Sequence, residues 1–335
     1  MNTPFFLVNK EKIYRNYKTL QEKMPVDYVY YATKPNNERI TIQTIRRMNG
    51  LYEIVSSAEM KYLLSIGVKA NRVICSLPIK KEEEISTLYN FGCRYFVFDC
   101  LREYKKLCRL SPTAKKIARL SISDISDNDI GFGLTMEQMI EIINKGIIPD
   151  GYTFYLLNHE RWEEKLEIIF SRIQELLELH KNRKPIIINI GGNYPLPTDE
   201  NICIYNKLKD LITKMKNKYR NICFIAEPGR SVVNDAFTLI TTVLDVRGND
   251  VYLDAHSQIL KIAPKFVDTS SKKRFCNKHK VKFYESLCSR YALFEMEIDF
   301  EIEVGMRLEL MNCGAYSICF ANNFHSTGKP AISIV

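Results

Sequence analysis

The sequence predicts an α/β protein: a (β/α)8 TIM barrel followed by a smaller, mainly antiparallel β domain. Three observations predict it. Short runs rich in β-branched and aromatic residues alternate with segments of helical spacing. Eight such runs occur before the pattern changes, and the change falls near Ala236. Strands separated by helix-length segments build βα units and a parallel sheet. Eight of them in roughly 200 residues is the count of a closed barrel. A doubly wound sheet is the runner-up, but it needs fewer strands, and no G-x-G-x-x-G follows the first run.

In chain order the strand-like runs are 28–32, 52–56, 72–77, 95–99, 117–123, 151–156, 185–190 and 223–226. Between them, apolar residues recur with a helical period over 38–48, 57–66, 81–89, 136–145, 161–180 and 202–218. These elements place the barrel over residues 10–235. Beyond it, helix-length segments give way to alternating runs at 238–246, 250–253, 280–285, 306–311 and 331–335, which define a β domain over 236–335. Residues 3–9 are apolar enough to add a strand to that domain.

Composition narrows the function. The chain has 335 residues, of which 46% are hydrophobic and 26% charged, ordinary values that exclude a disordered, collagen-like or coiled-coil protein. No apolar run approaches the ~20 residues of a membrane-spanning helix. The opening MNTPFFLVNKEK lacks the basic start, apolar centre and small-residue cleavage site of a secretory signal. The expectation is a cytoplasmic protein with no membrane partner. Ten cysteines are scattered without any C-x-x-C pair, so reduced thiols are expected, with neither a disulfide framework nor a metal site. The formal charge of +9 is spread along helical faces, not gathered into a stripe with interleaved aromatics, so nucleic acid is not an expected partner.

In a barrel of this kind the chemistry sits at the C-terminal ends of the strands. There the first run ends in Tyr31-Ala32-Thr33-Lys34-Pro35-Asn36, the seventh in Gly191-Gly192 and the eighth in Glu227-Pro228-Gly229-Arg230. A lysine alone is better read as a snorkelling surface residue, and a Gly-Gly pair alone as a tight turn. Together, a lysine, a carboxylate and two loops that let backbone N–H groups approach a phosphate suit pyridoxal 5'-phosphate (PLP).

The chain resembles the fold-type III PLP-dependent decarboxylases, the group of ornithine, diaminopimelate and arginine decarboxylases, on the alanine racemase-like barrel. Tyr31-Ala32-Thr33-Lys34-Pro35-Asn36 is similar to the family's Tyr-Ala-x-Lys-x-Asn, Ser56-Ser57-Ala58-Glu59 to its Ser-x-x-Glu, and Arg119 falls on the arginine of its fifth strand. Glu227-Pro228-Gly229-Arg230, Asp254, Cys288, Gly314-Ala315-Tyr316 and Asn323-Phe324-His325-Ser326 with Pro330 follow in the family's order. The resemblance implies that Lys34 carries PLP as a Schiff base and that Glu227 pairs with the pyridine nitrogen. It gives the phosphate to Gly191, Gly192, Gly229, Arg230 and Tyr316. It also implies that Cys288, from the partner subunit of a homodimer with shared sites, delivers a proton. Asp254, Cys288, Ser289 and Arg290 would meet the amino-acid substrate.

Departures accompany these matches. Where the family stacks a histidine on the cofactor within His-x-Gly-Ser, this chain has Tyr155-Leu156-Leu157-Asn158; the tyrosine can still stack and Asn158 can still bond a phosphate. The third glycine of Gly-Gly-Gly is Asn193. The acidic residue that follows the family's cysteine is Ser289, followed by Arg290, which does not suit a distal ammonium. The lysine of Lys-Phe-Gly is Gly131, and its aspartate partner across the dimer is Ala292, a paired loss that leaves no stranded charge. The implied function is a lyase: decarboxylation of an amino acid with an atypical side chain, in a specialised biosynthetic pathway. The alternative is a catalytically silent PLP-binding or regulatory homologue. A racemase would usually carry arginine where Glu227 stands.

Overall fold

A computed structural model describes residues 1–125, 131–156, 160–180, 186–260, 264–268, 274–287, 290–321 and 328–335. The chain divides into two compact units. One comprises residues 1–15, 34–44 and 230–335; the other comprises 16–33 and 45–229.

The chain opens with β1 (Phe5–Val8) and α1 (Lys10–Lys23). A closed parallel barrel follows, formed by β2 (Tyr28–Ala32), β3 (Leu51–Ile54), β4 (Val73–Cys75), β5 (Tyr95–Phe98), β6 (Lys115–Arg119), β7 (Gly151–Thr153), β8 (Ile186–Asn189) and β9 (Ile222–Ala226). Pairing of Tyr28 with Ile225 and of Val29 with Ala226 closes it. All eight predicted strands are present. Its interior is filled by Ile74, Tyr95, Val97, Ile117 and Ile225, with Tyr30, Ile187 and Cys223 against them. It is therefore a packed core and not a pore.

Helices alternate with these strands: α2 (Arg39–Arg47), α3 (Ser57–Ser65), α4 (Glu82–Asn90), α5 (Leu101–Leu110), α6 (Met136–Asn144), α7 (Trp162–Glu178) and α8 (Ile202–Lys218). In α7, Trp162, Leu166, Ile169, Phe170, Ile173, Leu176 and Leu177 are buried, an i, i+3, i+4 stripe facing inward. Each such side chain stabilises the fold by ~1.5–3 kcal/mol. The helix α5 was not among the predicted segments, because Arg102, Glu103, Lys105, Lys106 and Arg109 thin its apolar face to a few positions.

In the other unit the eleven-residue strand β10 (Phe237–Arg247) is the spine. Its first half lies between β1 and β15 (Arg307–Met311), antiparallel to both. After a bulge between Val243 and Asp245 it pairs with β11 (Asp250–Leu253). From there β13 (Arg274–Glu285) runs parallel to β11, and β14 (Ala292–Phe300) antiparallel to β13. The remaining strands are β12 (Lys265–Asp268), beside β15, and β16 (Ala331–Ile334), parallel to β1. Phe6, Phe237, Leu239, Leu308 and Leu310 are fully buried here, as the period of two requires. The strand β14 was not predicted: Glu295, Glu297 and Asp299 alternate along it and mask the apolar face that carries Phe294, Ile298 and Phe300. The two segments that join β9 to β10 are a short α9 (Arg230–Val233) and a 3-10 turn over Asn234–Ala236. No helix among the described residues is long and apolar enough to cross a membrane.

A buried ion cluster fixes the loop after β4. Lys80 Nζ lies 3.0 Å from Glu103 Oε1, with neither side chain more than 3% exposed, and donates to the carbonyls of Leu77, Pro78 and Val97 at 2.8, 3.2 and 2.7 Å. Lys106 Nζ reaches the other oxygen of Glu103 at 2.5 Å. Removing one partner of a buried pair strands the other. Lys80→Met is therefore expected to lower stability by ~3 kcal/mol in urea unfolding. A loss under about 1 kcal/mol, the worth of a surface pair, would show that the cluster is not needed.

Candidate active site

The predicted site residues fall into two groups, one in each unit. In the barrel unit, Glu227 directly follows β9 and is half-buried. Ser76 Oγ, just past β4, donates to its Oε1. Asn189, the last residue of β8 and fully buried, donates through Nδ2 to the same oxygen at 2.6 Å. The Asn189 Nδ2 also donates to Tyr95 Oη at 2.8 Å, and its Oδ1 accepts the Gly191 N–H at 2.9 Å. Burial pushes the Glu227 carboxyl above its ordinary value; the bonds from Ser76 and Asn189 and the charge of Arg119 work against that rise. Tyr95 is held far above the usual phenol range, first by burial and second by the charge of Glu227, so it stays protonated.

The predicted Gly191-Gly192 turn follows from backbone crowding. Glu227 N–H donates to Gly191 O at 2.7 Å. Gly191 has φ +72°, and a Cβ on Gly192 would lie 2.4 Å from Glu227 O. No other residue fits that approach. Asn193, in place of the third glycine, also takes a left-handed φ of +70°, which asparagine tolerates better than most residues. Its Nδ2 bonds Leu156 O at 3.2 Å, fastening the turn to the chain beside half-buried Tyr155. Arg119, at the end of β6, is half-buried with its guanidinium 5.6 Å from the centre of the Phe132 ring. Ser56 and Glu59 prove to be a helix cap: Ser56 Oγ accepts the Glu59 N–H at 3.2 Å, and Glu59 Oε2 accepts the Val55 N–H at 2.7 Å.

In the other unit, the chain just past Lys34 is bound to Gly314-Ala315-Tyr316. Tyr316 N–H donates to Pro35 O at 2.9 Å, and Asn36 Nδ2 donates to Gly314 O at 2.8 Å. Asn36 is fully buried and its Oδ1 accepts from Glu38 N–H and Thr41 Oγ1, both at 3.0 Å, so this motif asparagine is a clamp. Arg230 lies with its guanidinium 5.9 Å from the Tyr316 ring centre. Three motifs far apart in sequence thus meet. Lys34 itself is exposed, where the chemistry called for a shielded amine. Asp254 Oδ1 accepts from Thr241 Oγ1 at 2.6 Å and Thr242 N–H at 2.9 Å, bracing β10. Arg290 is exposed, ion-paired with Asp250 and 4.7 Å from the Tyr284 ring centre. Asn158, Leu157, Cys288, Ser289 and 323–326 lie outside the described residues.

Sequence reasoning did not single out Ser76, Tyr95 or Asn189. The signal for Asn189 was present: one amide within Ile186-Ile187-Ile188-Asn189-Ile190, a run otherwise all isoleucine. A buried polar side chain in such a run needs partners, and it finds three.

Residues 10–145 match the family model for the pyridoxal binding domain of the pyridoxal-dependent decarboxylases. A lysine/ornithine decarboxylase of Selenomonas ruminantium is 22% identical over 258 residues, covering 73% of this chain and 65% of the relative. An Antizyme inhibitor 2 of Xenopus laevis is 21% identical over 253 residues, 72% of this chain and 55% of that protein. The aligned region therefore spans less than two thirds of either relative's length. The crystal structure of the Paramecium bursaria Chlorella virus arginine decarboxylase bound to agmatine superimposes with a TM-score of 0.87 at 19% identity, covering 100% of this chain and 98% of the other, and establishes the fold. Over residues 10–145 the chain is thus similar to the pyridoxal binding domain of these decarboxylases, and it shares the fold of the arginine decarboxylase.

The residues present fit pyridoxal phosphate. Both donors to Glu227 fall on Oε1, so Oε2 is the oxygen a ring N–H would address. Gly191 and Gly192 supply the backbone without side chains that a phosphate needs.

The raised Glu227 value has a sign. Below the ordinary carboxyl value of 4.5 both folded and unfolded forms are protonated, so burial costs nothing. As pH rises above 4.5 the unfolded chain ionises first, and stability of the cofactor-free protein falls until the folded group ionises too. Thermal midpoints of cofactor-free protein and Glu227→Gln are expected to diverge upward from that pH, with the variant losing less. Parallel profiles would show that the carboxyl is not destabilised by burial.

Proposed function

We propose that this protein removes the α-carboxyl group of an amino acid as carbon dioxide, using PLP attached to Lys34, as a homodimer with shared sites. The observation that carries the reading is the Glu227 carboxylate, held at the end of β9 by Ser76 and Asn189. When bound, PLP supplies an electron sink for the pair left by the departing carboxylate. Glu227 would hold the pyridine nitrogen protonated, a pairing that would favour the carboxylate form that burial alone disfavours. Gly191, Gly192, Gly229, Arg230 and Tyr316 would hold the phosphate, the motif order adds Asn158 to that set, and Tyr155 would take the place of the stacking histidine. Lys34 would hold the cofactor through its ε-amine. Cys288 of the partner subunit returns the proton. These roles rest on the motif order and, for Glu227, Gly191 and Gly192, on geometry as well.

Substrate choice turns on Asp254, Ser289 and Arg290. Without an acidic residue after Cys288, a distal ammonium has no anchor there, whereas a neutral or carboxylate end is compatible with serine and arginine. An amino acid of that kind, from a specialised biosynthetic pathway, is the proposed substrate.

Three measurements test this. Protein loaded with PLP should show the visible absorption of lysine-bound cofactor and release carbon dioxide from one member of an amino-acid panel; Lys34→Ala should lose both, and their absence in the parent chain overturns the reading. Glu227→Gln should keep the cofactor yet lower kcat by roughly 10²–10³-fold, the usual loss for a placed electrostatic group. An amino acid with a neutral or carboxylate end should exceed ornithine in kcat/KM by about tenfold or more, one charge-assisted bond's worth. Equal turnover would remove the substrate assignment while leaving the decarboxylase.

A second reading, a silent homologue that binds PLP or regulates a partner, draws on the exposed Lys34, on Tyr155 in the histidine position, and on a relative named Antizyme inhibitor 2. Carbon dioxide release separates the two.

A further inference from the structure

The N-terminal rim of the barrel, where helices return into strands, carries a cavity of about 310 Å3 that none of the residues above approaches. Four cations line it: Arg46 and Arg47 from the end of α2, and Lys69 and Arg72 from the connection between α3 and β4. No carboxylate lines it, and none of the four takes part in an ion pair among the described residues. Elsewhere on this barrel basic side chains are commonly paired, as Arg172 is with Asp124, Lys216 with Asp27 and Lys218 with Glu178.

Two of the guanidiniums are held in place by backbone. Arg46 Nε donates to Gly67 O at 3.0 Å, and Arg72 Nη1 donates to Asn49 O. Arg46 also lies flat against Gly67, where a Cβ would come within 2.9 Å of Nη2. Each guanidinium spends one of its five N–H donors in this way and keeps the rest. Neutralising the negative end of α2 accounts for Arg46 and Arg47, but it needs no second pair on the same cavity. Four like charges around one hollow repel one another, and a multivalent anion relieves the repulsion. The planar forks of arginine match phosphate oxygens two at a time. A volume at the low end of ~300–1,000 Å3 admits a small molecule and not a macromolecular segment. Buried Tyr52 and Val68 give the hollow a firm floor.

We propose that this cavity binds a small polyanion bearing phosphate groups, at the opposite rim from Glu227 and independently of the cofactor. The test is calorimetric titration of the full chain, saturated with PLP and held at constant ionic strength with sodium chloride, using inorganic pyrophosphate and, in a second arm, ADP. One saturable site is expected for pyrophosphate, weakened about tenfold or more by Arg46→Gln with Arg72→Gln. It should be unchanged by Lys214→Gln, an exposed lysine on α8, and by Arg230→Gln, at the phosphate-binding motif. Equal binding of ADP means that the diphosphate is what is recognised; tighter binding means that the nucleoside is read as well, and both outcomes support the site. Should the double variant fail to fold by circular dichroism, Arg47→Gln with Lys69→Gln replaces it, since both side chains are exposed. The proposal is overturned by absence of saturable binding, by equal weakening in Lys214→Gln, or by loss in Arg230→Gln instead. It is also overturned if a short single-stranded oligonucleotide binds through these arginines while pyrophosphate does not. Titration without PLP should give the same affinity, so failure of the cofactor assignment would leave this result standing.

Discussion

A carboxylate at the mouth of an apolar barrel is the constraint on which the barrel's site depends. The interior below Glu227 is isoleucine, valine and tyrosine, a medium in which a lone negative charge is costly. Ser76 and Asn189 offset that cost by donating to one oxygen, and Arg119 contributes its charge. Asn189 then binds the rest of the site to the same point. Its Nδ2 also holds Tyr95, which rises through the barrel core, and its Oδ1 holds the Gly191 N–H. The charge-bearing residue and the phosphate-suited turn therefore share one buried amide, and neither can shift without the other.

Two of the departures from the family pattern leave no local defect in the structure. Asn193 keeps the left-handed backbone that a glycine would have adopted, and adds a side-chain bond to Leu156 O in exchange for the lost freedom. Gly131 and Ala292 are both exposed and small, so no unpaired charge marks the lost lysine and aspartate. The loop after β4, which delivers Ser76, is stiffened by the Lys80 ammonium bonding three carbonyls around it. A donor aimed at a buried carboxylate is only as well placed as the loop that carries it. In this chain that loop is fixed by charge held out of water.

Much of the architecture was legible because its signals are local and periodic. The eight barrel strands are short apolar runs, and 28–32 and 202–218 were bounded correctly. Among the elements that escaped, α5 and β14 carry dense charge on their solvent side, so periodicity was diluted where one face alone is buried. Motif residues could be named and given roles by resemblance, but not the bonds they make within the chain. Asn36 and Ser56 read as parts of a cofactor motif, yet the first clamps two backbone segments and the second caps a helix. Ser76 and Asn189 were illegible as site residues because their role exists only across the barrel, 151 and 38 positions from Glu227. Buried polar partners are chosen by the fold, and a linear pattern records only that one of them is out of place.

The exposure of Lys34 sets a further condition on the proposed chemistry. An amine that carries a cofactor covalently works in a site from which water is kept, because water hydrolyses reactive intermediates and weakens every electrostatic contact. In the single chain, the residues just past Lys34 are firmly held, through Pro35 O and buried Asn36, while the lysine side chain is left open to solvent. Within the proposed function a second copy of the chain is then more than an oligomeric preference: the cover that the amine requires, and the thiol of Cys288, would arrive together with it.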